Sequence, residues 1–505
     1  MVIENGRVLW IGDASDTPFA SQTIDLGGAT VLPALTDAHI HLFAIANSRL
    51  QIAIGADVAP SIAACLRRLM DAQSALAPEQ WIEASDFDEN KVDERRFPTL
   101  EELDEATGNR PTLIRRFCGH VAIANSAALR FLGFGPNSSA PQGGEIHRDD
   151  RGNLNGILSE AAAEVAFAAV PAPSRHVLVD SLRRVLHDCA KEGIAAAVDA
   201  AMGFTAPFDD ESCIWQELRS GFGDLPIRLG FMLKLNIDQA LAKGFQPSVD
   251  PHWQVMTLKY FADGIVGGRT AAVSEPFLDA DTLGTFVIDP AELEGEIVKA
   301  HCNGWQVAVH ATGDRAISAV IRAFEKANEV VRWPDSRHRI EHFFCPPPDS
   351  MARMRDLNAA IVMQPSFLTQ MNRSIVSGFG KRAEHYYPAR SVLDAGVLYA
   401  GSSDAPTGRF SPWHGIEDFV GRGGRETGRP IGLGEALSIR QALHCYTIGG
   451  AAVMKHESWR GSLLPGMAAD IIVVGEDPFE AAAADLRRMK VLMTIVDGQV
   501  VHDIR

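Results

Sequence analysis

Eight short, almost wholly apolar runs recur along this chain, with amphipathic stretches between most of them. They fall at 31–35, 194–199, 227–232, 254–261, 305–310, 338–342, 360–364 and 397–400. Continuous runs such as VAVH (307–310) and AAIVM (359–363) suit strands buried on both faces, as in a parallel sheet. Helical periodicity fills 180–191, 290–302 and 314–331. Eight strands with helical connections predict an α/β fold, a (β/α)8 TIM barrel over residues 31–455. Residues 45–165 are far more than one crossover needs, so they read as an inserted subdomain after strand 1, over one barrel face. The two chain ends resemble each other: VIENGRVLWIG (2–12) and TIVDGQVVHD (494–503) each read as strand, NG or DG turn, strand. We therefore expect a small composite β-sandwich domain from residues 1–30 and 456–505.

Charge and cysteine usage exclude several classes. Among the 505 residues, 47 Lys and Arg against 64 Asp and Glu leave a net charge of −17. No run of five basic residues occurs, which argues against nucleic acid or an anionic membrane as the main partner. The seven cysteines are scattered and never spaced CxxC, so they read as reduced thiols. No signal-peptide pattern opens the chain and no apolar run reaches 18 residues; a soluble, cytoplasmic protein is the expectation.

Five places carry residues with chemistry. Asp37-Ala-His39-Ile-His41 follows an apolar run; in an extended segment His39 and His41 share a face and can bind one metal, although polar loop histidines would look the same. Lys259 ends an otherwise apolar strand run, where an ammonium is costly unless paired or modified. It can pair with Asp263, point outward, or be carboxylated by CO2 into a bridging carboxylate. His310 and His342 each close an apolar run and precede loop and helix signals, the position from which barrel active-site residues project. Asp404 follows GSS at the closing strand, beside strand one and its HxH. Together, His39, His41, Lys259, His310, His342 and Asp404 suit a pair of divalent ions held by imidazole and carboxylate-type ligands.

These residues sit in longer motifs. LPALTDAHIHL (32–42), RFCGHVAIANSAAL (116–129), GGEIHRDDRGNLNGILSEAA (143–162) and LKYFADGIVGGRTA (258–271) are joined by QVAVHATGDRAI (306–317) and RIEHF (339–343). MQPSF (363–367), AGSSDAPTGRFSPWHGI (400–416) and LLPGMAADIIVV (463–474) complete the set. The chain thereby resembles the metal-dependent amidohydrolase superfamily, and within it the amidohydrolase family 3 branch that includes N-substituted formamide deformylases. Ala34 stands where the family has Gly, and with the start at VIENGRVLWIG the expectation is that a strand or two of the small domain is either missing or supplied otherwise.

The resemblance implies two divalent metal ions, zinc by preference, with His39 and His41 on the more buried one. It makes Lys259 a carboxylated bridge, places the second metal on His310 and His342, and gives Asp404 a metal-binding and proton-shuttling role. The implied reaction is hydrolysis of the C–N bond of an N-substituted amide or formamide through a metal-bridging hydroxide. His120, Asp263, Arg269 and Gln364 are the implied substrate contacts, although Asp263 and Arg269 could instead pair to fix a loop. The mixed segment 366–390, with Phe367, Leu368, Met371, Tyr386 and Tyr387, could wall the barrel mouth or simply pack in the core. A lactone, carbamate or urea-type hydrolase, or a deaminase, would use the same machinery. A silent binding barrel would have lost ligands, and none is lost. The partner is a small-molecule substrate, with a homodimer as the family's common state.

Overall fold

The computed structural model describes residues 1–74, 76, 80–116, 121–141, 144–221, 225–424 and 428–505. Two compact units emerge, one of Met1–Ala44 with Leu182–Arg505 and one of Ile45–Ser181.

The larger unit contains the (β/α)8 barrel. Its strands, in chain order, are β1 (Leu35–Ile40), β2 (Ile194–Met202), β3 (Arg228–Leu233), β4 (Trp253–Phe261), β5 (Gln306–Ala311), β6 (Arg339–His342), β7 (Ala360–Met363) and β8 (Leu398–Gly401). They lie side by side in that order, and all pairings are parallel. The ring is joined between β8 and β1 just past the strand ends: Asp404 N donates to His39 O at 2.8 Å and His41 N to Ala405 O at 2.9 Å. β1, β2, β3, β5, β6 and β7 are buried at every position, which is why β2, β3, β5 and β7 read as largely apolar runs, while β1 (LTDAHI) and β6 (RIEH) are buried although half polar. Helices connect them with ordinary end chemistry. Pro290–Cys302 starts with Pro at its first position, and Asp289 caps it by accepting from Ala291 N at 2.8 Å. Asp314–Val330 turns Ile317, Val320, Ile321 and Phe324 inward at helical spacing.

One strand expectation needs correction. The run 31–35 is not the first barrel strand but the seam between two sheets. Thr30–Pro33 pairs antiparallel with Ile471–Val474, and Ala34 N donates to Asp470 O at 3.0 Å. The barrel strand begins at Leu35 and runs through Asp37 and His39. The apolar run ends with LPAL because the rest of this strand, TDAHI, is largely polar.

Thr30–Pro33, Ile471–Val474, Val491–Val496 and Gln499–Asp503 form a four-stranded antiparallel sheet, and Val2–Glu4 pairs with Arg7–Trp10. Val8, Ile471, Val473 and Met493 pack in its core. The sheet is tied to the barrel by a buried ion cluster: Asp470 accepts from Arg228 at 3.0 and 3.1 Å and from Arg460 at 3.3 Å.

The unit Ile45–Ser181 has a mixed six-stranded sheet, ordered Ile52–Ala53, Ile82–Phe87, Thr112–Arg116, Val121–Ala124, Leu154–Glu160 and Gly144–Arg148. Leu69, Ile82, Phe87, Leu103 and Ile114 fill one of its cores. Among the described residues, no helix is long and apolar enough to cross a membrane.

Candidate metal centre

His39, His41, Lys259, His310, His342 and Asp404 line one cavity of about 460 Å³ at the carboxyl ends of the barrel strands. β1 contributes the first histidine and the loop after it the second; β4, β5 and β6 supply Lys259, His310 and His342, and Asp404 follows β8. Two of these positions have left-handed backbone: His342 at φ 77° and Asp404 at φ 55°. Such conformations are costly for side-chain-bearing residues and concentrate where a side chain is re-aimed for function.

The ligand-type atoms converge. His39 Nε2 is 3.2 Å and His41 Nε2 3.0 Å from Asp404 Oδ1. One donor atom each from His39, His342 and Asp404 lies within 4.8 Å of the others. The His310 and His342 rings are 4.4 Å apart, and the His39 and His342 rings 5.3 Å. Asp404 is buried, which would raise its carboxyl, yet His39 and His41 beside it hold it well below the usual range.

The other ring nitrogens are anchored. His39 Nδ1 donates to Glu341 Oε2 at 2.5 Å, His342 Nδ1 to Gln364 Oε1 at 2.7 Å, and His310 Nε2 to the Gly264 carbonyl at 3.0 Å. Each bond holds its ring in a fixed orientation from behind, the anchoring that ligating histidines need. Burial also pushes His310 down to about 4 and His342 well below its ordinary value, so both rings are neutral at physiological pH.

Lys259 is 2% exposed, and no carboxylate among the described residues lies within ion-pair distance of its Nζ. Burial lowers it to about 8, against the opposing pull of Glu341 and Asp404. It is thus a buried amine without a direct counter-ion among the described residues, beside the neutral rings of His310 and His342. The donor set thus fits divalent ions, as open imidazole nitrogens, a deprotonated carboxylate and a reactive lysine nitrogen around one cavity.

The remaining candidates separate. Asp263 borders the cavity, but its carboxylate already takes Thr312 N, Ala272 N, Gly313 N and Thr312 Oγ1 at 2.8–3.0 Å. The suggested Asp263–Arg269 pair does not form. Arg269, at a left-handed φ of 58°, instead clamps Asp279 at 2.7 and 2.5 Å and reaches Ser377 at 2.8 Å. Gln364 is wholly buried behind His342, its Nε2 donating to Ser402 Oγ at 3.0 Å. His120 lies outside the described residues. Within 366–390, Phe367 and Met371 reach the cavity, while Leu368, Tyr386 and Tyr387 are core.

Glu341 and Arg339 belong to the site as well, and Asp37, in sequence only the start of the DAHIH motif, has a structural role there. Glu341 holds His39 and is itself gripped by Arg339 Nε and Nη2. Burial would raise its carboxyl, but Arg339 and His39 keep it well below the ordinary range. The signal was present as two charges two residues apart, 339 and 341, on one face of a strand that otherwise reads as core. Asp37 Oδ1 accepts from Ser403 N at 3.0 Å and His39 N at 3.2 Å, stitching β1 to the segment after β8.

Comparison with known proteins agrees with this architecture. The amidohydrolase family profile matches residues 22–502. YtcJ of Bacillus subtilis (strain 168), which carries an amidohydrolase's name, is 29% identical over 488 residues, covering 96% of this chain and 91% of the relative. The N-substituted formamide deformylase of Arthrobacter pascens is 28% identical over 524 residues, 99% of this chain and 94% of that protein. The crystal structure of a metal-dependent hydrolase from Pyrococcus horikoshii OT3 superposes with a TM-score of 0.76 at 26% identity, covering 95% and 94% of the two chains. A profile that spans nearly the whole chain, on a barrel whose strand ends gather metal-binding side chains, places this protein in the amidohydrolase family, among metal-dependent hydrolases of C–N bonds.

Proposed function

We propose that this chain is a two-metal amidohydrolase that cleaves N-substituted amides, formamides among them, to an amine and a carboxylic acid. The observation that carries the reading is the set of three histidines locked from behind by Glu341, Gln364 and the Gly264 carbonyl, with Asp404 and Lys259 in the same cavity. His39 and His41 would hold one ion, His310 and His342 the other, with Lys259 between them as a carbamate. That carbamate forms when the neutral Nζ bonds to the carbon of CO2 and releases one proton, converting a cation site into an anionic ligand. When bound, such ions, with zinc well suited to these donors, supply an acidified water and a Lewis acid for the carbonyl.

Asp404 does the proton work. Its carboxylate, held ionised, accepts the proton of the attacking water and delivers it to the departing nitrogen. The C–N bond then breaks with that proton on nitrogen, so the amine leaves neutral, and the acyl carbon keeps the water's oxygen. Phe261, Phe344, Phe367 and Met371 line the cavity and suit an apolar substituent on nitrogen.

The test is metal per chain by elemental mass spectrometry on protein purified without chelator, followed by a panel of N-substituted formamides and anilides. About two ions with amide turnover is the expected result. A single tightly held ion would favour a mononuclear enzyme, and none after incubation with zinc and bicarbonate would refute the proposal.

A further inference from the structure

Beside the ligand cluster, the cavity wall is aromatic and ends in a cation. Phe204 stacks on Phe261 with centroids 5.5 Å and planes 18° apart. Phe204 also lies 5.6 Å from the His41 ring, and Phe261 5.6 Å from the His310 ring. The slab therefore begins at the candidate ligands. Toward solvent it carries Lys234, whose Nζ is 5.0 Å from the Phe204 centroid. Phe204 is 51% exposed, so this wall reaches the mouth of the site.

The local chain is built to hold this geometry. Gly203, at φ 91°, turns the chain after β2, and a Cβ there would stand 3.1 Å from Phe208. Buried Glu211 accepts from Gly203 N at 2.9 Å, and Phe204 N donates back to Ala201 O at 2.9 Å. Lys234 N donates to Met202 O at 3.0 Å, which ties the end of β3 to the end of β2. The backbone positions that carry the aromatic ring and the lysine are thus fixed beside each other by contacts of two neighbouring strands.

Among the described residues lining the cavity, Lys234 and Lys259 are the cationic side chains outside the histidines. Lys259 is buried and belongs to the ligand cluster. Lys234 is exposed and has no carboxylate partner among the described residues. In a chain of net charge −17 the overall field repels anions, so a lysine at the mouth that no carboxylate of the described residues pairs with is what an anionic group would need there.

We propose that Lys234 is a specificity-determining residue that selects amides whose nitrogen substituent carries an aryl group and, beyond it, a carboxylate. The proposal rests on the reading of this cavity as a C–N hydrolase site. The scissile carbonyl lies at the ligand cluster, the aryl group on the Phe204–Phe261 slab, and the carboxylate at Lys234. A rim ion pair is worth little in water, so the expected preference over a neutral analogue is about fivefold, and it weakens with salt.

The experiment uses the full-length, metal-loaded protein and two probes that differ only by a carboxylate on the far side of the ring, 4-(2-formamidoethyl)benzoate and N-formylphenethylamine. Affinity is read by calorimetry and turnover as kcat/KM, each at low and high salt. Wild type should bind the anion about fivefold more tightly; Lys234→Met should lose that preference and Lys234→Arg retain it. Equal affinity for the two probes, a preference that survives Lys234→Met, or no binding of either would overturn the proposal. Discrimination without hydrolysis of any amide would leave the anion subsite standing and sink the hydrolase reading; hydrolysis without discrimination would do the reverse.

Discussion

Glu341→Gln removes one charge from the barrel interior at almost constant side-chain volume. Glu341 is 0% exposed, and its two oxygens receive Arg339 Nε, Arg339 Nη2 at 3.0 Å and His39 Nδ1 at 2.5 Å. Glutamine keeps one accepting oxygen, while its NH2 group faces either a guanidinium or an imidazole N–H, both donors. Stranding the buried Arg339 charge should cost about 3–5 kcal/mol of stability. Loosening the partner of a ligating imidazole should cost roughly 10–100-fold in metal affinity. Competition against a chromogenic chelator reads the second effect, and urea unfolding of the metal-free protein reads the first. Wild-type metal affinity in the variant would refute the claim that Glu341 orients His39 for metal. A wild-type unfolding midpoint would refute the claim that Glu341 compensates Arg339.

Three further outcomes are expected. Lys259→Ala should lower metal content and turnover, with partial recovery on adding formate or acetate; unchanged metal content would remove Lys259 from the ligand set. Asp404→Asn should cut turnover by about 10²–10⁴-fold, the usual scale for a lost general acid–base, and near-normal turnover would end its proton role. The last concerns acid stability. His456 is 2% exposed, neither ring nitrogen has a hydrogen-bond partner among the described residues, and burial with Arg460 and Arg228 nearby lowers it from 6.5 to about 3. Its folded value lies below its unfolded one, so its contribution is complete above pH 6.5 and is lost as pH falls toward about 3. At pH 5 the loss is about 2 kcal/mol. His456→Phe should flatten that part of the stability–pH curve in denaturant titrations; an unchanged slope between pH 7.5 and 5 would show that His456 does not carry it.

Several features were legible from residue order because they depend on local chemistry. Helices 290–302 and 314–331 match Pro290–Cys302 and Asp314–Val330 closely, since caps and 3.6-residue periodicity are written within a few positions. The apolar strand runs were equally plain, because burial on both faces demands them. The first strand was misplaced for the complementary reason. Its functional half is polar, and Thr30–Pro33 joins a partner sheet from Ile471–Val474 more than 430 positions away. Arg269 shows the same limit: Asp263 and Asp279 are both near it in sequence, and only the folded chain shows Arg269 on Asp279 while Asp263 takes Ala272, Thr312 and Gly313.

By itself, then, residue order determined a barrel alternation and nominated six side chains with metal-type chemistry, because donor identity and strand periodicity are properties of single residues and their near neighbours. Only the tertiary structure decided that these six share one cavity, which ring nitrogen of His39, His310 and His342 is tied back, and that Lys234 stands at the mouth over Phe204. Those outcomes depend on distances between residues far apart in the chain. Closing a sheet into a ring sets such distances, and no local pattern encodes them.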